Sequence, residues 1–480
     1  MPRVLIHDSL NPEDGAMLQA LYSRSAASVT THLDKVRESG SGKFMERFYI
    51  GYGHRSIGDC GSTTIFLEGI SELAAKAVQD WPLYSGQQTS TRYIDFASQP
   101  LLDPAGTAAA KAVLDRWMDF YTGRMDAVRE HMAAEHPWNP EEGDQAAWER
   151  ALRARSFDVM RAFLPAGVTT QLSWHTNLRQ AADKLDLLVC HPLPEVRELA
   201  ALIRERLVAA YPNSFGGKRY QAQDQWRSAM AAAATYIDLD WPPASVTRQA
   251  GVLPGGCTSC DWKALAQAAG YADSRYELRD PDGTVVFQSV AQFDAAELAG
   301  WREMLAVRPV KTDLPQALDA AGQIRARFVL DYGSFRDLQR HRHGVVRMPL
   351  LTARHGFEPW YLAMLPDKVR EEAEVLLAEQ ARAVAALGQS SGMAQYYLAF
   401  GYRVVCDCTW GLPSAVYVAE MRSGQTVHPT LRRIAQALGS ALEAAVPGMA
   451  LHIDRSPEAF SIKRGGQGIV ERFREQAQGG

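Results

Sequence analysis

Two short stretches carry side chains suited to gripping an anion, and each lacks what the other keeps. Ser85-Gly86-Gln87-Gln88-Thr89-Ser90-Thr91-Arg92-Tyr93 gathers hydroxyls, amides and one guanidinium. Gln339-Arg340-His341-Arg342-His343 is densely cationic and is followed by few hydroxyls. A guanidinium fork matches a pair of phosphate oxygens, and closely spaced hydroxyls satisfy the lone pairs that remain. Neither stretch completes such a site alone, so the expectation is that folding combines them.

Thiols offer a second chemistry. Six cysteines are spread over the chain, which argues against a disulfide framework. Cys257-Thr258-Ser259-Cys260 and Cys406-Asp407-Cys408 are the close groupings, and jointly they would suit tetrahedral zinc. The pairs lie far apart in sequence, so the plainer reading is preferred: reduced thiols in a loop and in a core strand, with no metal.

The bulk numbers bound the partners. At 480 residues the chain is too long for one ordinary core. Its 46% hydrophobic and 22% charged residues are those of a soluble globular protein. A net charge of −4 argues against coating nucleic acid, so any basic site is local and aimed at a small anion. No apolar run is long enough to span a bilayer, and the start MPRVLIHDSLNPED lacks a signal-peptide layout. The expected location is the cytoplasm, with neither membrane nor nucleic acid as partner.

Elements able to position these stretches recur in two halves. Proline and glycine punctuation around Pro212, Pro242, Pro243 and Leu253-Pro254-Gly255-Gly256 marks a boundary. The expected domains are therefore 1–211 and 263–480, with 212–262 as linker. In the first half, Asn11 to Leu21 and Leu73 to Gln79 read as helices around a strand at Ser62–Glu68. A long helix from Thr107 to Ala134, the loop Pro165–Thr169 and a helix from Pro194 to Ala210 follow. The second half has a hairpin across Asp280-Pro281-Asp282-Gly283 and a strand at Arg325–Tyr332 leading into a helix that approaches Arg340. Asp367 to Leu387 then reads as a helix, Tyr402–Val405 as a strand, and a further helix starts at Pro413. The shared order suggests duplication followed by divergence.

These residues resemble a known family, the flavin-dependent thymidylate synthases (ThyX). Gly53-His54-Arg55-Ser56, the strand and helix after it, and Ser90-Thr91-Arg92-Tyr93 are similar to the family's Gly-His-x-Ser/Thr and Ser-x-Arg. Leu164-Pro165 and Asn177-Leu178-Arg179 resemble its Leu-Pro and Asn-x-Arg. The family's Arg-His-Arg is replaced in the first half by Asp80-Trp81-Pro82 and reappears in the second as Arg340-His341-Arg342. Gln88 stands where a glutamate is usual, and Cys60 where a second histidine is. The second half reads Val346-Arg347-Met348 without a Ser-x-Arg, and Gly411-Leu412-Pro413 for the Asn-x-Arg. It carries Arg422, in Glu420-Met421-Arg422, where the first half has Asp186-Leu187-Leu188. His191-Pro192 and His428-Pro429 follow in the two halves.

The resemblance implies an α+β fold, two ThyX-like α/β domains in tandem forming a pseudo-dimer. It implies a pseudo-tetramer as well, a homodimer of such chains. It further implies reductive methylation of dUMP at C5, with FAD, NADPH and methylenetetrahydrofolate. By this resemblance His54, Asn177, Arg179, Arg340, His341 and Arg342 hold the flavin. Gln88, Ser90 and Arg92 bind the nucleotide, and Arg422 acts near the pyrimidine. C5 modification of another pyrimidine nucleotide is an alternative, and so is a non-catalytic nucleotide-binding homologue.

Plainer readings stand beside each assignment. Arg340-His341-Arg342 suits a solvated turn at a helix end, favoured by the helix dipole. Ser90-Thr91-Arg92 suits a helix cap with an exposed arginine, and Asn177 a cap for the helix it begins. His54 suits a satisfied core histidine. Arg422 suits a surface pair with Glu420, which contributes little.

Overall fold

Alternation of inward and outward side chains builds the strands, and the residues that end them cap the helices that follow. The computed structural model describes residues 10–23, 25, 28–51, 54–92, 94–215, 221–240 and 271–467. Gly53, Tyr93, Cys257 and Cys260, singled out above, lie outside them. The chain divides into two units, Met1–Thr89 with Thr169–Thr235, and Ser90–Val168 with Tyr236–Gly480. This differs from boundaries at 211 and 263 in one main respect: residues 90–168 pack within the second unit.

In the first unit, β1 (Ser62–Ser71) pairs antiparallel with β2 (Thr169–Asn177), from Ser62 opposite Asn177 to Ser71 opposite Thr169. The register shifts between Glu68 and Ile70, where Gly69 adopts φ +67°, a conformation that costs glycine little. Ser71 then caps helix Glu72–Gln79 by accepting from Ala74 N at 3.0 Å. Its hydroxyl donates to Glu195 Oε2 at 2.5 Å, tying the strand end to the first turn of helix Pro194–Ala210. Asn177 ends β2 and caps helix Leu178–Leu188.

The second unit contains a five-stranded antiparallel sheet ordered β3-β4-β5-β7-β6. Its strands are β3 (Tyr271–Arg279), β4 (Val285–Asp294), β5 (Gly322–Asp331), β6 (Val345–Val346) and β7 (Arg403–Gly411). The expected hairpin joins β3 to β4, with Gly283 at φ +84°. Val286, Val329 and Val405 cluster on the sheet, each stabilising by roughly 1.5–3 kcal/mol through burial. Cys406 and Cys408 are buried in β7, as the core-strand reading expects. Long helices Ala108–Glu135, Gln145–Met160 and Asp367–Ala386 belong to this unit, and Phe120 of the first packs on Phe163 at 4.6 Å.

The two units build these parts alike. β5 pairs with β7 from Gln323 opposite Gly411 to Asp331 opposite Arg403. Asp331 caps helix Tyr332–Leu338 by accepting from Ser334 N at 2.8 Å, as Ser71 caps its helix. Asp331 Oδ1 also accepts from Thr430 Oγ1 at 2.5 Å, in the first turn of helix Pro429–Ala445. After β7 the chain enters helix Leu412–Ser423.

Within the second unit, residues 162–168 cross residues 396–402 reciprocally. Ala166 N donates to Leu398 O at 2.8 Å, and Phe400 N donates to Leu164 O at 2.9 Å. Gly167 N donates to Tyr396 O at 2.9 Å, and Gly401 N to Ala162 O at 2.8 Å. Leu102 N reaches Gly167 O at 2.8 Å, and Glu358 N reaches Gly401 O at 2.9 Å. Exchanging the two segments leaves this bonding scheme unchanged, which is the signature of a local two-fold axis.

Candidate functional site

The short helix Tyr332–Leu338 aims the cationic stretch, because Asp331 fixes its start and the chain leaves it directly into Gln339-Arg340-His341-Arg342. Gly344, at φ +135°, turns the chain back to β6, and a Cβ there would meet the Trp410 ring at 2.5 Å and Thr409 O at 2.7 Å. His341 is buried and accepts from Arg422 Nε at Nε2, 2.7 Å away, while Arg422 also donates to Asp337 O at 2.9 Å. Burial, and then the Arg422 charge, lower His341 to about 3, so its imidazole is neutral. Its ring meets Tyr417 edge-on at 5.8 Å. Arg340 is 51% exposed and lies 3.7 Å from Asp337, while Arg342 is partly buried. The solvated-turn reading therefore holds for Arg340 and fails for His341.

Ser90 and Arg92 form a turn, with Arg92 N donating to Ser90 Oγ at 3.3 Å. No helix begins there. The Arg92 side chain, 15% exposed, grips Asp158 at 2.7 and 3.1 Å and donates to Thr426 O at 3.2 Å. Asp158 also pairs with Arg464. Burial pushes the Asp158 carboxyl up, but Arg92 and Arg464 outweigh it and hold it well below the usual carboxylate range. Thr91 is buried and accepts from Arg336 at 2.9 Å.

Asp337 links the two stretches electrostatically. Burial raises its carboxyl, yet Arg340, Arg92, Arg161 and Arg422 together hold it down at about 2. Arg422 is in turn pulled down by burial and by the charges of Arg340 and Arg92, with Asp337 opposing. Arg92, Arg340, His341 and Arg422 thus share one charged neighbourhood in the second unit. Glu420, the surface partner considered for Arg422, pairs with Arg308 instead.

A buried polar floor completes this part of the second unit. Asp331 accepts from Tyr361 Oη at 2.7 Å, and Arg161 donates to Ser334 Oγ at 2.9 Å. His428 Nδ1 lies 2.8 Å from Thr430 Oγ1. Burial and then Arg161 push the His428 pKa well below its ordinary value. The sequence reading missed Asp158, Arg161, Asp331, Asp337 and Arg464. Only the His428-Pro429 pair pointed toward them.

The remaining expected residues sit in the first unit. Gln88 donates to Glu72 Oε2 at 2.6 Å and accepts from Gln79 Nε2 at 2.7 Å. His54 stacks on Phe48 at 6.3 Å. Asn177 accepts from Gln180 N at 2.8 Å, the capping bond anticipated for it. Arg179 donates to Asp59 at 2.6 Å and Asp183 at 3.2 Å, and the Asp59 bond raises its pKa.

Chemically, the second-unit cluster has the side chains an anion site would need. Arg92, Arg161, Arg340, Arg422 and Arg464 outnumber Asp158, Asp331 and Asp337, and guanidinium forks favour phosphate. Among the described residues no group of histidine, cysteine and carboxylate side chains is arranged to hold a metal ion. No described helix is long and apolar enough to cross a membrane.

Several known proteins are similar to this chain. UPF0159 protein Ta1429 of Thermoplasma acidophilum is 24% identical, over 91% of this chain and 94% of its own. A UPF0159 protein of Chlamydia muridarum is 25% identical, over 82% of this chain and 77% of its own. A structure of the flavin-dependent thymidylate synthase ThyX from Helicobacter pylori, complexed with FAD and dUMP, covers 43% of this chain and 94% of its own. That match has 17% identity and a TM-score of 0.27. Residues 5–213 match the family described as thymidylate synthase complementing protein. Over that stretch the chain is similar to the thymidylate synthase complementing proteins.

Proposed function

We propose that this protein is an FAD-dependent enzyme acting at C5 of a uridine nucleotide, most simply the reductive methylation of dUMP. The observation that carries this reading is the placement of Arg340 3.7 Å from the Asp337 carboxylate and of Arg422 2.9 Å from its carbonyl, with the Arg92 charge also acting on Asp337. Arg92 would orient the nucleotide phosphate, with the Ser90 hydroxyl beside it. Arg422, steadied by neutral His341, would lie near the pyrimidine.

The donor set fits a flavin dinucleotide. Arg340 is half exposed and lies 3.7 Å from Asp337, and its guanidinium carries five N–H donors suited to phosphate oxygens. Arg340, His341 and Arg342 are the residues of this unit that would hold the cofactor. When bound, FAD supplies the redox step, with electrons from NADPH and the one-carbon unit from methylenetetrahydrofolate. The chain's own side chains bind, orient and exclude water.

The reciprocal crossing of residues 162–168 and 396–402, and the matched strand–cap–helix order in both units, support an origin by tandem duplication. Two such chains would associate as a pseudo-tetramer, readable by light scattering as twice the chain mass.

Purified protein is expected to bind FAD and turn yellow, and Arg340→Ala to release it. Mass spectrometry of products from dUMP, UMP and dCMP then identifies the substrate. Failure to take up added FAD sinks the reading. Turnover of UMP or dCMP without dUMP would move it to another pyrimidine nucleotide. A non-catalytic nucleotide-binding role is motivated by the motif losses at Asp80-Trp81-Pro82 and from His343 to Leu350. Calorimetric binding of nucleotide without turnover under full cofactor supply would establish it.

A further inference from the structure

Asp158 is one buried carboxylate facing two guanidiniums. Arg92 takes both its oxygens, and Arg464 pairs with Oδ2, which Arg92 also uses. Arg464 arrives on the C-terminal segment, in a short 3-10 turn at Ile462–Gln467, and its side chain is only 12% exposed.

That segment is fastened along its length. Asp454 N donates to Ser423 Oγ at 3.0 Å, and Arg432 donates to Asp454 Oδ1 at 3.2 Å and Ser456 O at 2.6 Å. Gln425 donates to Pro457 O at 3.2 Å, and Trp360 Nε1 donates to Glu458 at 3.1 Å. Phe460 stacks on the His136 ring at 4.7 Å. Gln425 precedes Thr426, whose carbonyl is the other acceptor for Arg92. The segment therefore bonds Asp158 directly and also Gln425, the chain neighbour of Thr426.

We infer that Arg464 is a positioning residue of the anion site, acting on Arg92 through the carboxylate they share. With Arg92 alone, Asp158 would cancel its charge. With Arg464 sharing the carboxylate, the trio carries a net positive charge, and Arg92 stays oriented to receive a phosphate group. The identity of the anion rests on the nucleotide reading above; the arrangement of the trio does not.

Calorimetry on the full chain with dUMP, deoxyuridine and inorganic phosphate tests this, using wild type, Arg464→Ala and Arg464→Lys. Arg464→Ala is expected to weaken dUMP and phosphate about tenfold or more, the worth of a charge-assisted hydrogen bond. Deoxyuridine, which has no phosphate, should bind as to wild type, and Arg464→Lys should recover most of the loss. In turnover the effect should fall on KM and leave kcat unchanged. Unaltered phosphate and dUMP affinity in Arg464→Ala, an equal loss for deoxyuridine, or no recovery by lysine overturns the inference. If wild type binds phosphate but not dUMP, the pyrimidine reading fails while Arg464 is still judged on phosphate. If it binds neither, both fall.

Discussion

Arg422 donates from Nε to His341 Nε2 across 2.7 Å, so a buried imidazole serves as acceptor to a guanidinium. That arrangement requires the neutral ring. His191 in the first unit is likewise lowered to about 3, by burial first and then by the Lys184 charge. Both histidines have an ordinary value of 6.5 once the chain unfolds. The unfolded chain then binds protons first as pH falls. Stability is expected to be full above about 6.5 and to decline as pH drops toward 3. Denaturant midpoints that stay level from pH 7 to pH 5 would refute this.

Removing Asp158 leaves two guanidiniums without their carboxylate, whereas removing Arg92 leaves Asp158 paired with Arg464. Asp158→Ala is expected to cost about 3–5 kcal/mol of unfolding free energy, and Arg92→Ala less. Asp158→Asn should cost less, because the amide still accepts from one guanidinium. Urea titrations of the three variants measure the order directly.

Arg340 should behave differently, since half of its side chain is in water. Arg340→Ala is expected to change stability by less than about 0.5 kcal/mol, while flavin affinity falls at least tenfold. Equal melting temperatures together with a bleached flavin spectrum would bear this out. A large stability loss would assign Arg340 a structural role instead.

Much of this architecture was legible in the residues. Strand composition and the helical spans from Asn11 to Leu21 and Thr107 to Ala134 fall within a few residues of Pro12–Tyr22, Ala108–Glu135, β1 and β5. β2 does not stand out in the sequence, although Leu172, Trp174 and Thr176 alternate inward, because hydroxyls stand among its apolar positions. Helix Gln145–Met160 was overlooked, and Asp158 with it. A lone aspartate on a helix carries no local mark of its partners, and Arg464 lies near the other end of the chain. The fate of each arginine was set by such distant pairings. Spacing along the sequence does not encode them.

The crossing of the two segments predicts intolerance of side chains at its glycines. A Cβ on Gly167 would meet Leu102 O and Tyr396 O, both at 2.8 Å, and one on Gly401 would strike the Phe357 ring at 2.1 Å. Gly167→Ala and Gly401→Ala are each expected to destabilise by about 1–3 kcal/mol or more. Thermal melts comparable to wild type in either variant would contradict the geometry.

Ligand stoichiometry offers a further check. Asp80, Trp81 and Pro82 follow the cap Ser71 at the same intervals as Arg340, His341 and Arg342 follow the cap Asp331. The counterpart cluster thus has no guanidinium. Calorimetry is expected to give one nucleotide per chain, and a value of two would show that the second cluster still binds.

When two separate copies of one chain meet across a symmetric seam, dilution parts them and every substitution enters twice. Here both sides of the seam, Ala162–Val168 and Tyr396–Tyr402, are covalently joined. Lowering the protein concentration cannot open it. Each side is also free to drift by itself, so one can lose its cations while the other keeps them.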